Sequence, residues 1–407
     1  MTSNGLGNAW VGNELGVVTQ AGIQVRLHAL YRPGATFFES ADMERIGREA
    51  RYLYPLPPVG FLVSLLLAPF LFGTRYFAAL WNTLTGPRES LSIRLKTAWH
   101  FLVAAHFART IHGEPVSHIH SQWIHSGGSV AMYGAWLLGV PYSFTGHAAD
   151  LFRDRSALTD KIKRAAFIVC ISKFHEDFFL KEGARPEQLR LAYCGIDTSH
   201  FHPGSEVGKH DPPHIVSSGR LVGKKGFGHL INACRMLKDQ GVRFRCTIAG
   251  NGPLEAELRA RIASLGLSAE VEMTGKPLLQ ERIPEFMHGG DVYCLPCVWA
   301  TDGDVDGLPQ MLMEAMACGL PAVSTRLVGI PDLIEHDVSG LLSTPEDEAE
   351  LAACLSRLLA DPALARRLAE AGRDRVVQVF DLSKSLLPLI QEFRRAGSQG
   401  SLATADS

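Results

Sequence analysis

Residues 302–325 read DGDVDGLPQMLMEAMACGLPAVST. Glycine and aspartate up to Pro309 mark a loop, Gln310–Cys318 a helix, Gly319–Pro321 a turn, and Ala322–Thr325 an apolar strand. Proline close to a helix start and glycine just past its end are the expected punctuation. Two carboxylates, Asp306 and Glu314, stand eight residues apart, one at the loop–helix junction and one along the helix. The N–H groups of Gly307 and Leu308 point out of the helix start beside Pro309, where about half a positive charge suits an anion. A polyhydroxylated ligand with a phosphate leaving group needs this pairing of carboxylates for hydroxyls and backbone donors for phosphate.

Outward from this stretch, strands alternate with helices in two series. In the first half, Gln24–Ala29, Val116–His120, Pro141–Thr145, Phe167–Ile171 and Leu189–Tyr193 read as strands. Helical patterns cover Trp10–Ala21, Glu89–His112, Ser126–Leu138 and Lys173–Glu182. After a polar link at Phe201–Asp211 the rhythm restarts with strands at Ile215–Ser218, Arg245–Ala249, Glu270–Thr274, Val292–Pro296 and Ala322–Thr325. This pattern predicts an α/β chain of two parallel sheets covered on both faces. The expected division is residues 1–205, residues 206–380, a last helix at 381–396 and an irregular polar tail at 397–407.

Ligands of open α/β sheets bind beyond the carboxyl ends of strands, so the loops after strands carry the candidates. Arg220 and Lys225 flank glycines after Ile215–Ser218, a diphosphate-binding arrangement. Lys224 is expected to face solvent, since only one of two adjacent lysines can point inward. Gly250-Asn251-Gly252-Pro253 allows close backbone approach before a helix. In the first half, Thr145-Gly146-His147-Ala148-Ala149-Asp150 follows a strand, and His118, His120 and His125 surround another strand end.

These motifs resemble those of the retaining family 4 glycosyltransferases, and GDVDGLP…MEAMA is similar to the colanic-acid and amylovoran exopolysaccharide branch. The resemblance implies the GT-B fold, two Rossmann-like domains facing across a cleft. It implies a donor site in which Arg220 and Lys225 bind the pyrophosphate of a UDP- or GDP-linked sugar, with Gly252, Gly307, Leu308 and Pro309 around it. Glu314 would bind the ribose and Asp306 the sugar hydroxyls. His147 would face the donor sugar, with His120 and Asp150 lining the acceptor side. The acceptor would be a lipid-linked oligosaccharide. This chain departs from the family by carrying Asp306 where Glu is usual, one methylene shorter, and by a polar Met1–Ala9 where an opening strand is usual. The first sheet is therefore expected to lack that strand.

Other readings compete. Asp306 could simply cap the helix, the histidines could hold zinc, and Asp302-x-Asp304 and Asp304-x-Asp306 spell a metal-binding D-x-D. With Arg220, Lys225 and a helix start available for the leaving charge, no metal and no cofactor beyond the nucleotide sugar is expected. A GT-B sugar-nucleotide epimerase and a donor-binding protein without catalysis are the functional rivals.

Composition bounds the rest. The 407 residues suit two cores, and 40 basic against 42 acidic residues give no indication of a nucleic-acid partner. Eight scattered cysteines, including Cys294 and Cys297, read as reduced packing residues of a cytoplasmic protein. The apolar run Val59–Phe72, interrupted by Pro69 and flanked by Tyr54, Arg75 and Trp81, is too short to span a bilayer. It is either a buried helix or a surface element on the inner face of a membrane.

Overall fold

Short parallel strands alternating with helices organise both halves of the chain in the computed structural model, which describes residues 1–7, 9–34, 41–147, 151, 155–204 and 210–405. Two units result: Met1–Tyr193 with Leu386–Ser407, and Cys194–Ser385.

In the first unit, β1 (His28–Ala29) pairs with β2 (Arg51–Tyr52). β3 (Ile119–Ser121), β4 (Tyr142–Gly146), β5 (Phe167–Cys170) and β6 (Leu189–Leu191) form a second sheet in that order. Apolar residues of β4 and β5 are buried throughout, because helices cover both faces of a parallel sheet. The helices preceding β5 are α1 (Ala9–Gln20), α2 (Ala41–Glu49), α3 (Pro58–Phe72), α4 (Thr74–Thr85), α5 (Leu91–Thr110) and α6 (Ser126–Leu138), followed by the short helix Leu158–Arg164. Phe101, Ala104, Ala105 and Ala108 of α5 share a core with Val130, Ala131 and Tyr133 of α6.

Met1 and Thr2 pair through the backbone, although no named strand precedes β1 among the described residues. Thr2 bridges Ala29 in parallel, its N–H donating to the His28 carbonyl at 2.9 Å. On the other side the Gln122 N–H donates to the Met1 carbonyl at 2.9 Å. Ladder bonds come from the backbone, so Thr2 serves although it is not apolar. The expected strands at 24–29 and 116–120 shrink to β1 and β3. Their amino-terminal halves instead line a cavity of about 200 Å³ with Glu14, Gln122 and Phe393, and no ladder partner lies between them there.

Glu14 is buried beside this cavity and accepts a hydrogen bond from the Gln122 amide. Burial raises its carboxyl pKa from 4.5 to about 7, against the lowering effect of Gln122. A carboxyl with a raised folded pKa favours the fold while protonated. That contribution is complete below pH 4.5 and is lost as pH rises through about 7, worth roughly 3 kcal/mol in all. Glu14→Gln is therefore expected to raise the thermal midpoint at pH 8 and leave it almost unchanged at pH 4, measured by denaturation at both pH values. Equal effects at the two pH values would contradict the assignment.

The terminal helix Leu387–Ala405 joins the first unit, with Arg190 Nε 2.7 Å from Glu392 and Phe393 against the rings of His118 and Phe167. The chain thus returns at Leu386, and helix continues through Ala405 into residues expected to be irregular.

In the second unit, β7 (His214–Ser218), β8 (Arg245–Ala249), β9 (Val271–Met273), β10 (Val292–Cys294), β11 (Ala322–Thr325) and β12 (Leu341–Ser343) lie in the order β12-β11-β10-β7-β8-β9. β12 is not among the strands expected from the sequence. Three residues are too few for a periodic signal, and its pairing with β11 defines it. The strand order reverses between β7 and β10, which places the crevice at their carboxyl ends.

Candidate functional site

The loop after β7 and the loop after β10 meet at that reversal. Gly223–Lys225 forms a single tight turn, followed by Gly226 at φ 69° and the helix Phe227–Asp239. A Cβ on Gly226 would lie 1.8 Å from the Pro296 carbonyl oxygen, so only glycine allows the loops to touch. The Val298 N–H donates to the Lys224 carbonyl at 3.0 Å and fixes one loop on the other.

This contact brings the charges together. Lys225 Nζ lies 2.7 Å from Asp306 Oδ2. Lys224 Nζ lies 3.2 Å from Asp306 Oδ1 and 3.1 Å from Asp304 Oδ2. Lys224 thus does not simply face solvent: the turn ends both lysine side chains at one carboxylate. The Cys297 thiol also donates to Asp306 Oδ2, at 3.7 Å. Burial works against charging Asp306, but Lys225 and Lys224 outweigh it and hold the carboxyl below its ordinary range. The same pairing outweighs burial at Lys225 and raises its ammonium pKa.

Asp306 does not cap the helix. Gln310–Ala317 is preceded by Pro309 at φ −69° and ψ 118°, with no side-chain cap. Gly307 and Leu308 lie ahead of this start, and their N–H groups make no hydrogen bond among the described residues. The Gly307 carbonyl accepts from Gly329 N–H at 2.9 Å, which ties this loop to the one after β11. In that second loop Val328 adopts φ 46°, a left-handed conformation unfavourable for a β-branched residue. Glu314 is buried on the helix, close enough to Lys225 to add to its raised pKa.

The turn after β8 approaches the same place. Leu221 N–H donates to the Asn251 carbonyl at 2.9 Å, and a Cβ on Gly252 would come within 2.6 Å of the Leu221 carbonyl oxygen. Arg220 is exposed, and no ion pair engages it among the described residues. The arrangement thus presents a free guanidinium and free amides next to a buried lysine–carboxylate cluster, which suits a diphosphate attached to a hydroxylated group.

In the first unit, His147 ends β4 and is enclosed by Trp10 and Trp123, at ring-centroid distances of 4.4 and 4.8 Å. Burial lowers its pKa to about 3, so the imidazole is neutral. Its Nε2 is buried without a hydrogen-bond partner among the described residues. His120 is held differently: Nδ1 meets Ser143 Oγ at 2.8 Å and Nε2 meets Thr145 Oγ1 at 3.0 Å. Both nitrogens are occupied, which makes His120 a brace between β3 and β4 that also borders the cavity. His118 binds Ser143, and His125 accepts from Ser126 N–H at the start of α6. Among the described residues no three histidine, cysteine or acidic side chains are grouped to hold a metal ion. Asp150 lies outside the described residues.

Sequence reasoning passed over Lys224, Cys297, Trp10 and Trp123 as site residues. A lysine pair after a strand and C-x-x-C before the acidic loop were visible signals. The tryptophans lie far apart in sequence and only the fold unites them.

Two parallel, Rossmann-like units of this kind define the GT-B class of fold. The Anabaena protein Alr3699/HepE, solved in complex with UDP, shares it with a TM-score of 0.70 over 98% of each chain at 19% identity. Residues 17–200 match the family model Glycosyltransferase Family 4, and residues 201–375 match Glycosyl transferases group 1. The chain belongs to glycosyltransferase family 4. The amylovoran biosynthesis glycosyltransferase AmsK of Erwinia amylovora is 41% identical over 220 residues, 52% of this chain and 53% of that protein. The putative colanic acid biosynthesis glycosyltransferase WcaL of Escherichia coli K12 is 41% identical over 188 residues, 46% of each. The matches span about half the length of these curated relatives.

Proposed function

We propose that the chain is a retaining glycosyltransferase of exopolysaccharide synthesis. It moves a sugar from a UDP- or GDP-linked donor to a hydroxyl of a lipid-linked oligosaccharide, and needs no other cofactor. The observation that carries this reading is the meeting of Lys224, Lys225 and Asp306 at the strand-order reversal of the second unit, beside the unpaired Arg220. The names of AmsK and WcaL, and the UDP held by HepE, support the same reading.

Arg220, Lys225 and the amides of Gly307 and Leu308 receive the diphosphate. Preorganised donors at a leaving group stabilise the charge that develops there. Asp306 accepts from sugar hydroxyls and Glu314 from the ribose. The acceptor oxygen attacks C1 on the face the phosphate leaves. The C1–O bond to phosphate breaks, the new glycosidic bond forms, and the acceptor proton passes to the leaving phosphate. In the first unit, the unpartnered Nε2 of neutral His147 binds a sugar hydroxyl. A cytoplasmic protein at the inner membrane face would meet both substrates.

Arg220→Ala tests the site without disturbing the fold, because the side chain is exposed. It is expected to weaken UDP or GDP binding about ten- to a hundredfold with an unchanged thermal midpoint, read by titration calorimetry. Undiminished affinity for whichever nucleotide binds would refute the diphosphate assignment. Incubation with a panel of nucleotide sugars separates the rivals: released nucleotide with transferred sugar, an epimerised donor, or binding alone.

A further inference from the structure

α3 is apolar around almost its whole circumference, yet only Ser64, Ala68 and Phe72 are buried. Their spacing of four residues marks one narrow stripe, held to α5 by Ser64 Oγ meeting His106 Nδ1 at 2.8 Å and Arg109 Nε at 2.6 Å. Leu65 packs partly against the core and Phe61 lies against Trp99 and His106, while most of the other residues face outward. Val59, Leu62, Leu66 and Phe70 are exposed on α3, and Phe77 and Trp81 on α4, with Phe70 at 86% and Trp81 at 66%. A contiguous face of this kind requires a partner, since single exposed apolar residues are common but grouped ones are not.

Charge identifies the partner. Between Glu49 and Glu114 the only acidic residue is Glu89, whereas Arg75, Arg94 and Lys96 on α4 and α5 are basic; Arg51 and Arg88 are paired with Glu114 and Asp160, and Arg109 is bonded to Ser64. Glu89 is turned to the protein, accepting from the N–H groups of Ala157 and Leu158 at 3.1 Å. The chain as a whole carries −2, so this excess of cations is local to the apolar helices. Geometry sets the mode of contact. The 15-residue α3 reaches about 22 Å against a hydrocarbon core of about 30 Å. α4 turns away from it by 114°. Among the described residues no single helix is long and apolar enough to cross a membrane.

We propose that α3 and α4 form a wedge that lies in one leaflet of an anionic phospholipid bilayer. Leu66 and Phe70 enter the acyl region, Trp81 sits at the headgroup boundary, and Arg75 meets lipid phosphate. This names the surface on which the lipid-linked acceptor of the proposed function would be met, and it rests on that reading only for its purpose.

Co-sedimentation of the full chain with vesicles tests the wedge without sugar transfer, so its failure leaves the donor reading intact. The chain is expected to pellet with vesicles of phosphatidylcholine mixed with phosphatidylglycerol, and less with phosphatidylcholine alone. Leu66→Ser/Phe70→Ser is expected to weaken vesicle affinity by about tenfold or more, with an unchanged thermal midpoint and unchanged UDP or GDP affinity. Arg75→Glu is expected to weaken binding to the anionic vesicles alone, again about tenfold. No pelleting of the parent chain, or equal vesicle affinity for parent and variants, would overturn the proposal. So would a dimer in sedimentation velocity that Leu66→Ser/Phe70→Ser converts to monomer, because a second copy would then cover the face.

Discussion

Lys225→Ala is expected to destabilise the second unit by about 3 kcal/mol, because it removes the nearest cation from a buried carboxylate. The Lys225 and Asp306 side chains are each only 14% exposed, and their 2.7 Å contact is the shortest of the cluster. Lys224 remains 3.2 Å away and keeps the cost at the lower end of the range for a broken buried pair. In a unit of this size the thermal midpoint should fall by roughly 6–12 °C. Diphosphate affinity should fall too, by about tenfold or more. The double variant Lys225→Ala/Asp306→Asn removes both charges, so it should recover most of the stability while leaving the affinity low. Denaturation and nucleotide titration on the single and double variants decide this. Additive losses would show that the two side chains do not act as a pair.

Asp306→Asn is expected to slow sugar transfer about ten- to a hundredfold, the worth of one charge-assisted bond lost from the transition state. Nucleotide binding should survive through Arg220 and Lys225. Asp306→Glu keeps the charge and restores the reach usual in the family, so it should retain transfer and alter the ranking of donor sugars. A helix cap would tolerate asparagine, but the helix starts at Gln310 and the Asp306 oxygens bind lysines. Full transfer by Asp306→Asn would remove Asp306 from sugar binding.

The strands of the second unit were legible because both faces of a parallel sheet are covered, leaving short apolar runs between turn residues. β8 and β11 occur at the expected residues. The loops that hold Arg220, Lys225, Gly252 and Asp306 were legible as loops for the related reason that glycine-rich turns follow those apolar runs. Less could be read where the decisive contact is nonlocal. Nothing local distinguishes an inward Lys224 from an outward one, since its direction depends on Asp304 and Asp306 some eighty residues later. His120 looked like an open cleft residue until β4 placed Ser143 and Thr145 against both its nitrogens. The apolar run before α4 could be core or surface on sequence alone, because an all-apolar helix has no polar face to mark its outside. Pro69 sits inside α3 without ending it.

The ammonium of Lys225 has its own counter-ion in Asp306. On the proposed function, an arriving diphosphate would therefore exchange one anion for another instead of entering an open positive site. As phosphate took over the ammonium, the Asp306 oxygens would be released next to the sugar that the phosphate carries. Nucleotide alone would leave that carboxylate displaced with no hydroxyl to accept from, whereas the intact donor brings a replacement for each contact it disrupts. On that proposal the salt link would make recognition of the phosphate and recognition of the sugar a single event.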